Sequence, residues 1–250
     1  MSDDRIYGLQ NPSTKGVEGK KRYAMVVDLD KCNGCMACTV ACAVEFDKPL
    51  GVFRTWVKVV DQGTYPNMQR RFIPRFCNHC DYPACVRACP VQATYKDEDG
   101  FVLQRYNRCL GCRSCMIACP YNARHLLPEA RMKDHEPFMV SDKCTFCDHR
   151  VRQGLAPACV AACGPRALIF GDLNDPESEV HKIVNTHTTQ VLKEEMGTKP
   201  QVYYIGGLDD ASNEESYLER SYQVKADMNA FKENHPNAHF CKSNIMEPLD

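Results

Sequence analysis

Cysteines are the residues of this chain whose type and spacing could do chemistry. Four of them fall in the stretch CNGCMACTVAC (32–42), and close variants of this pattern return three times. These four groups of four, called quartets here, account for sixteen of the 17 cysteines. The quartets are Cys32, Cys35, Cys38 and Cys42; Cys77, Cys80, Cys85 and Cys89; Cys109, Cys112, Cys115 and Cys119; and Cys144, Cys147, Cys159 and Cys163. Since thiolates bind zinc and iron, this internal repeat predicts a group of metal centres.

Disulfide bonds are the first alternative to metal binding. Disulfide frameworks are typical of short secreted chains, whose cysteines are spread so that they join distant loops. This chain has 250 residues, and its cysteines are crowded into tight groups. Cysteines two residues apart are poorly placed to bond with each other, so the spacing favours ligands of a shared metal centre.

Zinc is the competing metal, because four thiolates also bind zinc tetrahedrally. Zinc modules usually take their ligands from two separated pairs, whereas a compact run that ends in Cys-Pro is typical of bacterial ferredoxins. All four quartets end in Cys-x-x-x-Cys, and Pro90 and Pro120 follow the second and third. Four motifs of four thiolates give sixteen ligands, enough for four 4Fe-4S clusters. The sequence therefore predicts iron rather than zinc.

The gaps between the motifs predict how they pair. In two-cluster ferredoxins the fourth cysteine of each run binds the other cluster. The segment between the second and third motifs reads as strand, turn and strand (ATYK, DEDG, FVLQ), which makes these motifs one module. The first and fourth motifs then pair across it. Each predicted ligand set is named after the motif that supplies three of its four cysteines. The sets are the first-motif set (Cys32, Cys35, Cys38, Cys163), the second-motif set (Cys77, Cys80, Cys85, Cys119), the third-motif set (Cys89, Cys109, Cys112, Cys115) and the fourth-motif set (Cys42, Cys144, Cys147, Cys159). The alternative pairs neighbouring motifs in order, first with second and third with fourth.

Other segments must position these loops. TWVKVV and RRFIPRF predict a β-hairpin between the first and second motifs. A helix is expected from Asp175-Pro176 to about Thr186, with Val180, Ile183 and Val184 buried. A second helix is expected from Ser212, where Glu215 completes a capping box. Its apolar stripe could dock on a partner or pack on the chain itself; the stripe is Leu218, Tyr222, Val224, Met228 and Phe231.

The fold expected from these segments is α+β, with two interwoven bacterial ferredoxin-like modules related by a pseudo-two-fold axis. The predicted divisions are an N-terminal extension (1–22), an outer module (23–50 and 141–175), a β-hairpin insertion (51–76), an inner module (77–140), and C-terminal helices with an extension (176–250).

Several residues beside the motifs have two interpretations. Basic residues there could raise cluster potentials or could form a solvated surface; they are Arg75, Arg87, Arg108, Arg113, Arg124, Lys143 and Arg150. His79 and His149 could tune a cluster, but the favoured interpretation is that they bind loop carbonyls. Trp56 is expected in the core or an interface rather than as an electron bridge. Cys241, the seventeenth cysteine, is interpreted as a free surface thiol.

Composition and missing motifs exclude other functions. A net charge of −1 gives no basic excess for nucleic acid. No apolar stretch approaches the ~20 residues that cross a bilayer, and the opening MSDDRIYGLQNPSTKG lacks the apolar core of a signal peptide. The chain has no G-x-G-x-x-G run opening a helix and no P-loop. We therefore expect no substrate site of its own, and catalysis on a partner.

The four motifs in this order resemble the four-cluster electron-transfer subunits of molybdopterin oxidoreductases of the dimethyl sulfoxide reductase family. The fourth motif, CTFCDHRVRQGLAPACVAAC ahead of GDLNDPES, is the most specific part of a resemblance that runs from about Tyr23 to Leu208. GVFRT (51–55), PRFCNHCDYPACVRACPVQAT (74–94) and VLKEEMGTKPQVYYIGGLDD (191–210) are most similar to tetrathionate reductase small subunits. Arsenate, polysulfide and membrane quinone reductase complexes have similar subunits. Two departures are Gly164-Pro165 after Cys163, where the family has Pro directly, and a polar extension beyond about residue 211.

The resemblance implies a non-catalytic subunit that relays electrons between an integral membrane quinone-binding subunit and a molybdopterin catalytic subunit of an anaerobic respiratory complex. It implies a location on the periplasmic face of the bacterial membrane, reached by export with a partner, and a cytoplasmic complex is the alternative. The competing functions are a free polyferredoxin that shuttles electrons between enzymes and a structural zinc protein.

Overall fold

Short strands and short helices alternate along the chain. The computed structural model describes residues 21–48, 51–62, 65–127 and 139–208. The strands are β1 (Tyr23–Asp28), β2 (Trp56–Gln62), β3 (Gln69–Arg75), β4 (Thr94–Lys96), β5 (Val102–Gln104), β6 (Arg124–Leu126), β7 (Ser141–Lys143), β8 (Leu168–Asp172) and β9 (Val202–Ile205). The helices are α1 (Ala37–Glu45), α2 (Ala84–Arg87), α3 (Ser114–Ile117), α4 (Asp148–Val151), α5 (Ala158–Ala161) and α6 (Glu179–Thr186). Within these ranges, no helix has the length and apolar character of a membrane span.

The largest sheet brings the first and fourth motifs to one place. Its strand order is β8-β1-β9, with β1 antiparallel to β8 and parallel to β9. The β-branched and apolar run AMVV of β1 is buried on both faces, as expected for a central strand. Val27 lies opposite Leu168, so the end of β1, which leads into the first motif, is adjacent to the start of β8, which follows the fourth motif.

Helix α6 covers one face of this sheet. Val180 is fully buried against Ala24, Val26 and Ile169. Ile183 and Val184 are partly buried beside them, and the helix ends at Thr186. The predicted apolar face and helix end are therefore confirmed. The expected tail helix from Ser212, and Cys241, lie outside the described residues.

The remaining strands form antiparallel pairs. β4 and β5 pair between the second and third motifs, which confirms the predicted strand, turn and strand there. β6 pairs with β7 between the third and fourth motifs. β2 pairs with β3, with Trp56 opposite Arg75, inside the segment for which the sequence predicts an insertion. Trp56 is partly buried against the main core, as expected.

The main core contains cysteines among its apolar side chains. Phe76, Phe101 and Phe146 are nearly inaccessible to solvent and belong to the same buried cluster as five thiols. Those thiols are Cys38, Cys77, Cys80, Cys144 and Cys159. The interior of the described part of the chain is thus built around the cysteine motifs.

A buried polar network joins segments from both predicted modules. Asp142 is inaccessible to solvent, and Arg54 donates two hydrogen bonds to it, at 2.8 and 2.7 Å. Lys48 and Tyr106 also donate to this carboxylate, and His125 Nε2 lies 3.2 Å from it. Burial alone would raise the pKa of Asp142, but its bonds with His125 and Arg54 outweigh burial and hold that pKa well below its usual range.

Replacing Arg54 by Met should destabilise the iron-loaded protein by about 3 kcal/mol, because it deprives a buried carboxylate of its bidentate partner. Arg152→Met is the matched control: Arg152 also bonds two carboxylates, Asp97 and Asp99, but is about half exposed, so its loss should change stability by less than about 1 kcal/mol. Anaerobic urea unfolding, followed by the fluorescence of Trp56, measures both variants. Equal losses for the two would contradict the prediction.

Candidate metal centres

The four cysteine motifs share one backbone device. In each, the residue before the second cysteine has a positive φ: Gly34 (71°), His79 (42°), Gly111 (66°) and Phe146 (56°). A left-handed residue at this point turns the loop sharply. Space demands glycine in two of the motifs, because a Cβ on Gly34 would lie 2.3 Å from the Phe72 ring and a Cβ on Gly111 would lie 2.7 Å from the Met139 carbonyl oxygen.

A second repeated device follows the last cysteine of three motifs. Gln92, Asn122 and Arg166 each have φ near 50° and stand three residues after that cysteine. The next amide then points back at sulfur. Ala93 N donates to Cys89 Sγ at 3.2 Å, and Ala167 N donates to Cys163 Sγ at 3.2 Å. Gly164-Pro165 therefore leaves the turn of the fourth motif unchanged, although the sequence there departs from Cys-Pro.

The second-motif set surrounds a cavity. Cys77, Cys80, Cys85 and Cys119 line a space of about 360 Å³, counting the part that opens to solvent. The first three come from the second motif and Cys119 from the third. Burial raises the pKa of the Cys80 thiol to about 12. Iron must displace the proton of each ligand thiol on binding, so ligation at Cys80 also has to overcome this raised pKa.

The first-motif set surrounds a similar cavity of about 320 Å³. Cys32, Cys35 and Cys38 line it together with Cys163, which follows α5 of the fourth motif. Val57 and Pro74 of the β2–β3 hairpin complete one wall. Helices α1 and α5 pack together, which is how a cysteine of the fourth motif reaches the loop of the first.

The fourth-motif set is the most buried. Cys42, Cys144, Cys147 and Cys159 are all buried. Burial raises the pKa of the Cys159 thiol well above its usual value, and the nearby thiols Cys144, Cys147, Cys42 and Cys38 raise it further. Cys42 and Cys147 belong to one buried cluster.

The third-motif set is positioned by helix packing. Helix α2 packs on α3, which brings Cys89, two residues beyond α2, toward the third motif. Cys115 is buried and its Sγ lies 3.3 Å from Ser141 Oγ. Cys112 is exposed and Cys109 is intermediate, so this set lies at the surface.

The donors fit an iron–sulfur cluster better than a single zinc ion. In the described part of the chain, no three Cys, His, Asp or Glu side chains converge closely enough to hold one metal ion. The thiols of the first- and second-motif sets instead surround spaces, and a cluster bound by terminal thiolates fills such a space. A zinc ion would require its four sulfurs at about 2.3 Å from one point.

His79 and Phe146 join the second and fourth motifs. Their rings stack at 3.8 Å between centroids with an interplanar angle of 15°. His79 Nδ1 accepts from Val102 N at 3.1 Å and Nε2 donates to the Cys144 carbonyl at 3.0 Å, so the imidazole is neutral. Burial, with Lys143 nearby, lowers its pKa. The interpretation of His79 as a residue that binds a loop carbonyl is confirmed.

That interpretation is wrong for His149. Its Nε2 lies 2.8 Å from Glu45 Oε1, and its side chain is 45% exposed. Arg150 bonds the same carboxylate. His149 binds this carboxylate because α4 places it opposite the end of α1. The spacing of the cysteines does not predict that these two helices meet there.

The basic residues near the motifs fall into distinct groups. Arg75, Arg124 and Lys143 are buried, whereas Arg87, Arg108 and Arg113 are exposed. Arg150 is half-buried and paired with Glu45. Only the buried residues meet the low-dielectric condition under which a fixed charge acts strongly on a nearby cluster.

Some residues that line the cysteine sites cannot be recognised from the cysteine motifs in the sequence. Thr198 and Tyr121 line the cavity of the second-motif set and bond each other. Thr198 belongs to a segment without cysteines, held against the second motif by Tyr82 N, which donates to the Thr198 carbonyl at 3.0 Å. Ala93 and Ala167 could have been found from the repeat, since alanine stands four residues after the last cysteine of three motifs.

Known proteins share these motifs. Two models, each described as a 4Fe-4S dicluster domain, match residues 24–96 and 68–173. A tetrathionate reductase subunit of Salmonella typhimurium is 47% identical over 197 residues, which cover 77% of this chain and 75% of that protein. A selenate reductase subunit of Mesobacillus selenatarsenatis is 39% identical over 232 residues, covering 82% and 80%. The iron–sulfur cluster-binding subunit of menaquinone reductase of Nitratidesulfovibrio vulgaris is 38% identical over 229 residues, covering 75% and 90%.

Proposed function

Because the chain belongs to the family of 4Fe-4S iron–sulfur subunits of molybdopterin oxidoreductase complexes, we propose that it is a non-catalytic relay that carries electrons through four clusters. The four sets of thiols would hold one 4Fe-4S cluster each, and each bound cluster supplies a one-electron carrier. The interwoven modules (23–50 with 141–175, and 77–140) belong to this proposal, as does their pseudo-two-fold relation.

The observation that carries the proposal is that two cavities are each lined by cysteines of two different motifs. In the proposed sets, the first and fourth motifs exchange Cys42 and Cys163, and the second and third motifs exchange Cys89 and Cys119. The bond from His79 to the Cys144 carbonyl joins the fourth-motif set to the second-motif set. These contacts support a linear order: first-motif, fourth-motif, second-motif, third-motif.

The solvent exposure of the thiols supports the same linear order of the four sets. Among the sixteen thiols, only Cys35 and Cys112 are exposed, and they belong to the two terminal sets. Buried inner sites with accessible outer sites suit a path with an entry and an exit. A free carrier that exchanges electrons at one surface needs only one such site.

Exposed apolar side chains stand near both exposed thiols in the sequence. Met36 follows Cys35 directly, and Val40 and Val44, which is 77% exposed, lie on α1; their spacing of four puts these two valines on one helix face. Near Cys112, Leu110 is 70% exposed and Ile117 is 86% exposed. Exposed apolar patches mark interaction surfaces. We propose that a molybdopterin catalytic subunit covers one patch and an integral membrane quinone-binding subunit covers the other.

Protein purified anaerobically should contain about sixteen iron and sixteen acid-labile sulfide atoms per chain, from four clusters of four. Metal analysis and low-temperature EPR of the reduced protein measure this content. Zinc in place of iron, or about eight irons, would contradict the proposal.

Gentle extraction from native membranes should also yield a complex with a large molybdenum-containing subunit, whereas a lone species of about 28 kDa in the soluble fraction would identify a free polyferredoxin.

The family resemblance also supports a periplasmic location for the complex, with this chain exported beside a partner. Protease added to intact spheroplasts should then digest the subunit. Protection until the membrane is lysed would indicate a cytoplasmic complex instead.

A further inference from the structure

Arg124 is a buried cation that lines one proposed cluster site and is linked to a second through Ser141. It is 6% exposed and lines the cavity of the second-motif set. Its Nη1 also lies 3.5 Å from Ser141 Oγ, which is 3.3 Å from Cys115 Sγ of the third-motif set. The guanidinium therefore lies between the two sites that exchange Cys89 and Cys119.

The oxygen atoms that Arg124 bonds are all neutral. Nη1 lies within bonding distance of Thr94 Oγ1 (3.2 Å), Gln104 Oε1 (3.3 Å) and Ser141 Oγ. Within the described residues no carboxylate bonds it, whereas Arg54, another deeply buried arginine, is paired with Asp142. An arginine cannot lose its proton, and an unpaired buried charge is strongly destabilising. Arg124 therefore requires negative charge from something other than an acidic side chain.

Thiolates bound to metal supply that charge. Arg124 lines the second-motif cavity together with Cys77 and Cys85, and Ser141 links its Nη1 to Cys115. Two of these sulfurs belong to the second-motif set and one to the third. The cation thus lies beside one site and one side chain away from the other, and within the described residues its side-chain bonds go to neutral oxygens.

We propose that Arg124 is the shared counter-cation of the second- and third-motif clusters and holds the reduction potentials of both above those that their thiolates alone would give. Reduction adds one negative charge to a cluster, and a fixed positive charge in a low-dielectric interior favours that form. This inference rests on the proposed function. It makes Arg124 a positioning residue for charge, with no part in ligation.

Two variants test the charge in different ways. Arg124→Gln removes it, and Gln104→Glu keeps the guanidinium but places a carboxylate beside it. Anaerobic potentiometry followed by EPR should show, for each variant, two of the four midpoint potentials falling while two stay unchanged. We expect at least a tenfold change in each affected reduction equilibrium, which is about 59 mV for one electron. Arg124→Lys should keep both potentials close to those of the unaltered protein.

Arg152→Gln is the control, because it removes an exposed arginine that already has carboxylate partners; all four potentials should stay unchanged. If Arg124→Gln does not retain its clusters, the Gln104→Glu and Arg124→Lys variants decide the question. An unchanged set of potentials in Gln104→Glu, or equal shifts of all four in Arg124→Gln, would overturn the inference while leaving the relay intact. A parent protein without four reducible clusters would instead refute the proposed function.

Discussion

Removing iron should unfold residues 21–208 rather than leave an empty version of the fold. Five cysteines belong to the main core, and the cavities of the first- and second-motif sets lie among its side chains. Helices α2 to α5 have four residues each, and β4 to β7 have three. Elements of these lengths are not stable by themselves. We therefore expect metal ligation to supply much of the folding free energy in this region, as it does in other small metal-bound domains.

The measurement is near-UV circular dichroism and amide hydrogen exchange of protein treated anaerobically with an iron chelator and a reductant. Near-UV signal and slow exchange should both disappear, and both should return when iron and sulfide are added back. The sheet of β8, β1 and β9 is the most demanding part of the test, because α6 covers it with an apolar contact that contains no cysteine. Even there we expect the pairing to be lost, because β1 leads directly into the first motif and β8 follows the fourth. A native-like near-UV spectrum in iron-free protein would contradict the expectation.

The sequence predicts the local parts of this structure well, because cysteine spacing and turn residues act over a few positions. The hairpin of β4 and β5 is an example. Asp97 accepts from Phe101 N at 2.7 Å, and Gly100 has φ 86°, so the turn DEDG forces the chain back on itself. The confirmed helix end at Thr186 is equally local. Both follow from residues that are close together in the chain.

The start of α6 shows where a local rule fails. Asp175-Pro176 predicts a helix from that point, but α6 begins at Glu179. The Asp175 carboxylate accepts from Glu177 N at 2.9 Å, and its carbonyl accepts from Ser178 N at 3.0 Å. These bonds close a turn that uses the same donors that a first helical turn would present. The predicted start was therefore wrong.

The parts of the structure that the sequence does not predict depend on contacts between residues far apart in the chain. Nothing in the spacing of the motifs shows that His79 stacks on Phe146, or that Arg54 reaches Asp142 across 88 positions. Thr198 enters the second-motif cavity from a distant segment. Cysteine repeats predict that ligands will gather, whereas the side chains that set the charge and polarity of each site come from wherever the fold brings them.

The pairing of ligands is the prediction that most directly tests the sites. Under the proposed sets, Cys119→Ala should damage the cluster held by Cys77, Cys80 and Cys85, although Cys119 belongs to the third motif. The reason is positional, since Cys119 lines the cavity of the second-motif cysteines. Loss of this ligand should remove up to about four irons and the EPR signal of one cluster.

Double variants identify which cluster is lost. Cys119 and Cys77 belong to one proposed set, so Cys119→Ala with Cys77→Ala should lose no more clusters than either single variant. Cys119→Ala with Cys109→Ala should lose two, because these residues serve different sets and their effects add. Iron content and EPR spin quantitation of the three single and two double variants measure this. If the pattern is reversed, so that Cys119 and Cys109 behave as one set, each motif keeps its own fourth cysteine and the exchange of ligands between motifs is wrong. If neither pair is additive, the two sites share one cooperative unit, and metal binding at one depends on metal at the other.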